Sequence, residues 1–317
     1  MDRGKIAAER LVIRELGQVD IEKAEDLVRL AFGTFLHIPD PLENPEKKSM
    51  IAHRFHQNPG NVIAAYLDGE LVGSNILTRW GSFAFLGPLT VRPDLWNAGV
   101  GTRLVDEAMK SFSKNGVENL GLFTFPDSPK HQGLYHKFGF CSRFLTPLMQ
   151  KAINNSGEKN FEMFSSFHGD ERDSVLQKAS DLTNSLHPGL DLSSEIQLVD
   201  DLKLGETVLL FEQSKLIGFA ICQSGADTEA GEGRCYVKFG AVRSPGRDFN
   251  DLLSACESYG TQRGASALEA GVNLSHDKAF DIMLRRGFQI MFIGVAMQKP
   301  NEPAHNRSEN FVMDDWR

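Results

Sequence analysis

The stretch with the clearest chemical promise is Leu89-Thr90-Val91-Arg92-Pro93-Asp94-Leu95-Trp96-Asn97-Ala98-Gly99-Val100-Gly101-Thr102-Arg103-Leu104. It reads as a strand, a turn with two glycines and the start of a helix. Glycines let a loop turn its backbone N–H groups toward a ligand. A helix N-terminus adds unpaired donors and a partial positive charge, and together these suit a phosphate or pyrophosphate. A dinucleotide fingerprint would need a third glycine at Leu104, and a nucleotide-hydrolase loop would need Gly-Lys-Ser/Thr; the sequence has neither. The competing reading is a helix start capped by glycines for close packing. Other titratable residues are less pointed. Asp127, His37, Asp40 and Glu43 fall on loops that could border a substrate, and charged loop residues are first read as solvated. His53 and His56 are spaced to share a helix face but lack a third ligand, so they make no zinc site.

The elements that must position this loop follow from hydrophobic periodicity. Leu11–Glu15 alternates as a strand, and Asp20 is a plausible cap for a helix whose apolar face is Ile21, Ala24, Leu27, Val28 and Ala31. Val62–Leu67 and Leu71–Thr78 are strands joined at Asp68-Gly69, a strong hairpin signal. Phe83–Val91 is a strand broken by Gly87-Pro88, as at a bulge or edge. Leu104, Val105, Ala108, Met109 and Phe112 mark a helix ending near Asn115-Gly116. Leu120–Phe125 is a strand, Pro129–Phe138 a helix, and a final strand pair runs from Gly139 to Leu148.

Lys151–Asn160 is polar and turn-rich, and reads as a linker. Beyond it the order recurs: a strand at Phe161–Phe167, a helix through Val175–Leu186, and a hairpin of Thr207–Phe211 with Leu216–Cys222 turning at Ser214-Lys215. An acidic loop, Gly225–Gly233, leads to a strand at Tyr236–Val242. A helix through Phe249–Tyr259, a strand at Ala267–Val272 and a helix at Lys278–Arg286 follow. Leu120–Phe140 and Leu268–Phe288 have the same length and similar endings. The expectation is an internal duplication of about 150 residues, with residues 1–150 and 161–300 as the two copies and 301–317 as a polar tail docked by Phe311 and Trp316.

The composition sets outer limits. Of 317 residues, 41% are apolar and 24% charged, enough for two full cores and against wholesale disorder. No apolar run reaches the length of a membrane span, and the first residues lack the apolar core of a signal peptide. Cys141, Cys222, Cys235 and Cys256 lie far apart with no Cys-x-x-Cys pair, which argues against a zinc ribbon or disulfide framework and for reduced thiols in the cytoplasm. Residues 1–150 carry 17 basic and 17 acidic side chains, so the net charge of −8 sits wholly in the second half. Nothing here is a basic footprint for nucleic acid or anionic lipid.

The glycine stretch resembles the signature motif of the GNAT acyltransferase superfamily, a Gln/Arg-x-x-Gly-x-Gly/Ala run after the fourth strand, with Gly99 and Gly101 at the two glycine positions. Leu134-Tyr135-His136-Lys137-Phe138-Gly139-Phe140 resembles the family's Leu-Tyr-x-Lys-x-Gly-Phe stretch, and the order of elements agrees across residues 11–150. Trp96, Ala98, Asn97 and Ser128 depart from the usual Gln/Arg, basic, Gly and Asn residues. Asn tolerates a left-handed backbone better than most residues.

The resemblance implies an α/β fold with an α+β mixed sheet, in two tandem GNAT-like copies. It implies acyl transfer, most often of acetyl, from acetyl-CoA as cosubstrate to an amine of a small molecule or peptide, with no metal. The cofactor would lie against Leu89, Thr90, Val91, Trp96, Asn97, Ala98, Gly99, Val100, Gly101, Thr102, Ser128 and Tyr135. The backbone N–H of Leu89 would meet the acyl oxygen, and Tyr135 would act as general acid toward the departing thiolate, or else only pack. The second copy has a shorter loop, Val242–Asp248, with one glycine and Pro245, and Met283 where Tyr135 falls. It reads as a degenerate copy that packs on the first and closes one side of an acceptor cleft. The chain is expected to be a monomer or homodimer. Rival functions are a non-catalytic acyl-CoA sensor and a tandem acyltransferase like the mycothiol synthases, whose catalytic copy is the second.

Overall fold

The structure is a computed structural model that describes residues 10–43, 48–153, 160–243 and 247–317. Its first half runs β1 (Leu11–Glu15), α1 (Ile21–Phe35), α2 (Ile51–Gln57), β2 (Val62–Leu67), β3 (Glu70–Trp80), β4 (Phe83–Val91), α3 (Val100–Lys114), β5 (Asn119–Thr124), α4 (Pro129–His136) and β6 (Cys141–Ala152). The second half runs β7 (Glu162–Met163), α5 (Asp170–Leu186), α6 (Ser193–Asp201), β8 (Gly205–Glu212), β9 (Lys215–Gly225), β10 (Gly231–Val242), α7 (Arg247–Gln262), β11 (Ala267–Gly271), α8 (Asp277–Arg285), β12 (Gln289–Lys299) and β13 (Phe311–Met313).

Local chemistry accounts for many of these boundaries. Asp68 and Gly69 both take positive φ, which matches the twist of the strands they join. On α3 Leu104, Val105, Ala108 and Phe112 of the expected face are buried, Met109 is partly buried, and Val100 joins them. Other expectations need correction. Asp20 makes no capping bond; its carboxylate instead accepts from the Tyr66 hydroxyl at 2.9 Å. The second hairpin turns at Gln213-Ser214, one residue earlier than expected, with both residues at positive φ. The strand at Phe161–Phe167 shrinks to two residues, and the strand pair from Gly139 is one long strand, β6. Lys151 and Ala152 of the expected linker belong to β6; residues 154–159 lie outside the described residues. Helix α6 carries buried Ile196, Leu198 and Val199, but it is too short for its periodicity to stand out.

The thirteen strands among the described residues form one mixed sheet, ordered β1-β2-β3-β4-β5-β12-β6-β11-β10-β9-β8-β7, with β13 added on β10. The order reads alike from either end, and the halves have exchanged their last strands. β12 from the second half lies against β5 of the first (Val295 opposite Thr124), and β6 from the first lies against β11 of the second (Leu148 opposite Gly271). β6 and β12 pair with each other at the centre. The largest core belongs to both halves: Trp80 packs on Phe85 and on Phe239, with ring centroids 4.8 and 5.5 Å away.

The tail is more than a segment pinned by two aromatics. Phe311 through Trp316 are all buried, and β13 pairs with Gly240–Val242 of β10. The apolar side chain of Trp316 stands against Phe83, and at Gly121 even a methyl group would collide with both rings.

Candidate active site

β4 and β5 begin as parallel neighbours. Phe83, Ala84 and Phe85 pair with Asn119, Leu120 and Gly121, and there the pairing stops. Past that point β4 continues from Leu86 to Val91 bonded to β3 alone, while β5 turns its other edge to β12. The strands therefore part and leave backbone groups facing a gap. The cause is written in β4: Gly87 and Pro88 together oppose the single residue Ile76, a bulge that bends the strand, and Gly87 sits at φ +133°. Leu89 follows directly, opposite Asn75. The Asn75 side chain is completely buried, and neither its oxygen nor its nitrogen has a hydrogen-bond partner.

The glycine loop stands at the far end of this gap. Asn97 and Gly99 take left-handed φ of +68° and +91°, which turns the chain into α3. The first intrahelical bond there runs from Arg103 N–H to the Gly99 carbonyl. The N–H groups of Val100, Gly101 and Thr102 thus have no acceptor within the helix and point out of its positive end. Gly101 has ordinary helical φ, and a Cβ there would meet Leu89, Val91 and Leu134 at 3.7–3.8 Å. Its glycine keeps the approach to the helix end open. Ala98 and Val100 are buried beneath the loop.

The remaining residues expected in the site are placed as follows. Trp96 donates its indole N–H to the Val91 carbonyl at 2.8 Å, and the Lys130 ammonium lies 4.4 Å above its ring. Thr90 shares a 2.7 Å hydrogen bond with Ser74. Ser128 begins α4 as its cap, accepts from the His131 N–H, and sits 2.7 Å from that ring's Nδ1. Tyr135 is buried with Leu120, Leu122 and Phe140 on the α3 side of the sheet. Burial pushes its phenol well above the ordinary tyrosine value, so it keeps its proton.

Residues 24–140 match the acetyltransferase (GNAT) family model. This part of the chain belongs to the GNAT acetyltransferase family. Solved structures agree on the fold across almost the whole chain. A candidate acetyltransferase from Pyrococcus horikoshii is 16% identical, with a TM-score of 0.69, covering 98% of this chain and 97% of its own. A GCN5-related N-acetyltransferase from Sphaerobacter thermophilus is 14% identical, with a TM-score of 0.62 over 94% and 98%. A GCN5-related glucosamine N-acetyltransferase region of a fungal multi-domain β-N-acetylglucosaminidase is 14% identical, with a TM-score of 0.60 over 91% of this chain and 38% of that one. No curated protein matches the sequence.

The GNAT half meets the second half across a buried charge cluster that sequence reasoning did not single out. Arg54 of α2 holds Glu195 of α6 by two bonds of 2.7 and 2.9 Å, and approaches Glu229 at 3.5 Å. Lys238 donates to Glu229 at 2.7 Å and to the Arg317 carbonyl. Tyr236 donates to Asp315, and Trp80 to Glu195. Lys238 and Arg54 hold Glu229 down at about 2 against its burial. A small pocket opens here, lined by Gly87 and Pro88 of the bulge, Met50, Thr78, Glu229 and the cations Arg54, Lys238 and Arg317. Cations outnumber carboxylates on its wall, the reverse of what the acidity of the second half suggests. The available signal was a charge inside an apolar strand, as in Tyr236-Val237-Lys238-Phe239.

His53 and His56 do not share an environment. His53 is buried beside this cluster with its Nε2 unpartnered, while His56 is exposed. Desolvation lowers His53 to about 4, so it is a neutral imidazole. His37, Asp40, Glu43 and Asp127 are exposed loop residues. Among the described residues no group of three or more His, Cys, Asp or Glu side chains is arranged to hold a metal, and no helix is long and apolar enough to cross a membrane. The four cysteines are free thiols.

In the second half the matching region is built differently. β10 and β11 pair from Arg234 to Val237 and then part. The edge so freed, Gly240–Val242, is taken by β13. Met283, at the place of Tyr135, is fully buried. Ser244, Pro245 and Gly246 of the shortened loop lie outside the described residues.

Proposed function

We propose that the chain transfers an acetyl group from acetyl-CoA to an amine, in the cytoplasm, with its chemistry in the first half. The observation that carries this is the gap between β4 and β5. It has unbonded helix N–H groups at one end and a bulge at the other.

Acetyl-CoA supplies an activated acyl group on a thioester when bound. The N–H groups of Val100, Gly101 and Thr102 suit its pyrophosphate, and the freed edge of β4 from Leu89 to Val91 suits its amide-bearing arm. Trp96, Asn97, Ala98 and Gly99 shape the loop that aims those donors, and Thr90 and Ser128 hold its two flanks. The Leu89 N–H stabilises negative charge on the acyl oxygen as the amine nitrogen bonds to the acyl carbon. The carbon–sulfur bond then breaks with its electron pair on sulfur, and Tyr135 gives its proton to that thiolate. The amine must arrive neutral, and its proton leaves by water. The second half carries no equivalent chemistry: β13 fills its freed edge and Met283 cannot donate a proton.

Release of free thiol from acetyl-CoA over a panel of amines tests the reading. Binding of acetyl-CoA with no release over the whole panel would make the chain a sensor. Release that survives loss of the Gly99–Gly101 loop would move the chemistry to the second half.

A further inference from the structure

The two segments that flank the mouth of the gap touch each other, and their contact sets a cation there. Trp96 follows β4 and Lys130 opens α4 after β5, so the contact bridges the side on which the two strands have parted. The indole is fixed by its bond to the Val91 carbonyl, and the Lys130 ammonium lies 4.4 Å from the ring centroid. An ammonium over an indole is attracted by the ring's face but keeps its full charge and its donors. No carboxylate among the described residues pairs with Lys130, and partial burial alone holds it below the ordinary lysine value. By contrast Arg92, at the end of β4, is committed to Asp94 and Glu70. The helix gives this charge its direction. Leu134 of α4 would meet a Cβ at Gly101 at 3.7 Å, which sets that turn of α4 level with the start of α3. Lys130 is four residues earlier, on the same face and about one turn nearer the mouth. It therefore stands beyond the open N–H groups of Val100, Gly101 and Thr102, on the side from which a ligand enters.

Resting on the reading that acetyl-CoA occupies this gap, we propose that Lys130 is a phosphate-binding residue of the cofactor site, held ready on the face of Trp96. The N–H groups of α3 offer only partial positive charge, whereas CoA brings a pyrophosphate and a separate phosphate monoester on its ribose. Lys130 supplies a full positive charge, and its flexible stem lets the ammonium swing from the ring onto a phosphate oxygen without moving α4. Trp96 keeps that charge at the mouth before the ligand arrives, so less freedom is lost on binding. The ring at Trp96, in place of the usual Gln or Arg, then has a duty of its own: it holds the cation that the loop itself lacks.

The test is calorimetric titration of the whole chain with CoA, dephospho-CoA and adenosine 3′,5′-bisphosphate, at low and at raised salt. Lys130→Met keeps an unbranched side chain over the ring and removes the charge. It is expected to weaken CoA binding about tenfold or more and to flatten its salt dependence, while Lys130→Arg keeps most of the affinity. A loss shared by CoA and dephospho-CoA assigns the contact to the pyrophosphate. A loss confined to CoA and the bisphosphate assigns it to the ribose phosphate. Thermal midpoints near that of the unaltered chain certify the fold, and Lys130→Gln is a second neutral variant should Lys130→Met unfold. Unchanged affinity for all three ligands in a folded neutral variant, or an unchanged salt dependence, would overturn the proposal and leave Lys130 a cover for the indole. Failure of the functional reading looks different: the unaltered chain would bind the bisphosphate through Lys130 yet release no thiol from acetyl-CoA. An unaltered chain that binds none of the three ligands would overturn both.

Discussion

Tyr135 has no charged neighbour that would help it ionise; burial alone sets its state, and burial keeps it protonated. A phenol in that condition can give up a proton as an acid but does not serve as a base. Tyr135→Phe keeps the packing against Phe140 and removes the proton, so kcat is expected to fall by about 10²–10⁴ while acetyl-CoA affinity holds. Stopped-flow thiol release beside a binding titration checks both halves of that statement; an unchanged kcat would leave Tyr135 a packing residue. Histidines make a separate, pH-dependent contribution. Burial lowers His53 and His276 each to about 4, against an unfolded value of 6.5. As pH falls below 6.5 the unfolded chain takes up these protons first. The stability each neutral ring provides is complete above pH 6.5 and is lost toward pH 4, on the order of 2–3 kcal/mol per ring. Glu229 adds its own loss only below about 4.5, so the window from 6.5 to 4.5 belongs to the histidines. Thermal midpoints measured across that window should slope downward, and His53→Gln and His276→Gln should each flatten the slope.

At the scale of the element, the loop between β4 and α3 separates conformation from ligand access in its two glycines. Gly99 is needed for its backbone, at φ +91°. Gly99→Ala should cost about 1–2 kcal/mol in folding, whatever the ligand does. Gly101 has helical φ and room for a Cβ. Gly101→Glu should therefore leave the thermal midpoint nearly unchanged, yet abolish acetyl-CoA binding by setting a carboxylate where phosphates approach the helix end. If calorimetry on folded Gly101→Glu returns the unaltered affinity, the helix end holds no pyrophosphate. The bulge on β4 has a counterpart on β10, where Lys238 is the extra residue between Val237 and Phe239. Both bulges border the seam pocket, one bare backbone and one a cation.

The whole molecule is knit by the exchange of β6 and β12. Neither half can complete its own sheet: without β12 the open edge of β5 is bare, and without β6 so is that of β11. Residues 1–153 expressed alone should therefore aggregate, and co-expression with residues 160–317 should restore a soluble pair that elutes as one species. Soluble, monomeric 1–153 would show that the exchange is dispensable. The seam adds to this dependence. Arg54→Ala leaves the buried Glu195 carboxylate without its cation and should destabilise by about 3–5 kcal/mol in chemical denaturation. Because β13 covers the freed edge of β10, one acetyl-CoA per chain is expected; a calorimetric stoichiometry of two would contradict the division of labour between the halves.

Much of this protein was legible in short-range patterns. The Asp68-Gly69 turn, the bounds of β2, β4 and α3, and the glycine loop depend on neighbours a few residues apart, and their signals survive in the sequence alone. So did the recurrence of elements in the second half, because each copy repeats the same local periods. What escaped depends on partners far along the chain. β6 and β12 carry ordinary strand patterns, and nothing in those patterns says which half they will join; that choice is made by the edges left open on β5 and β11. The tail reads as polar because Asp314, Asp315 and Arg317 are charged, yet their partners, His305, Tyr236 and the face of its ring, neutralise the cost of burying them. His53 and His56 have equivalent spacing and opposite fates, since only one meets the second half. Sequence determined where a phosphate-holding loop could form. Tertiary structure decided that the strands beside it part, that the second half's matching edge is filled by its own chain, and that an arginine 230 residues beyond the bulge reaches its pocket, because each of these is a contact between segments whose local sequences are independent.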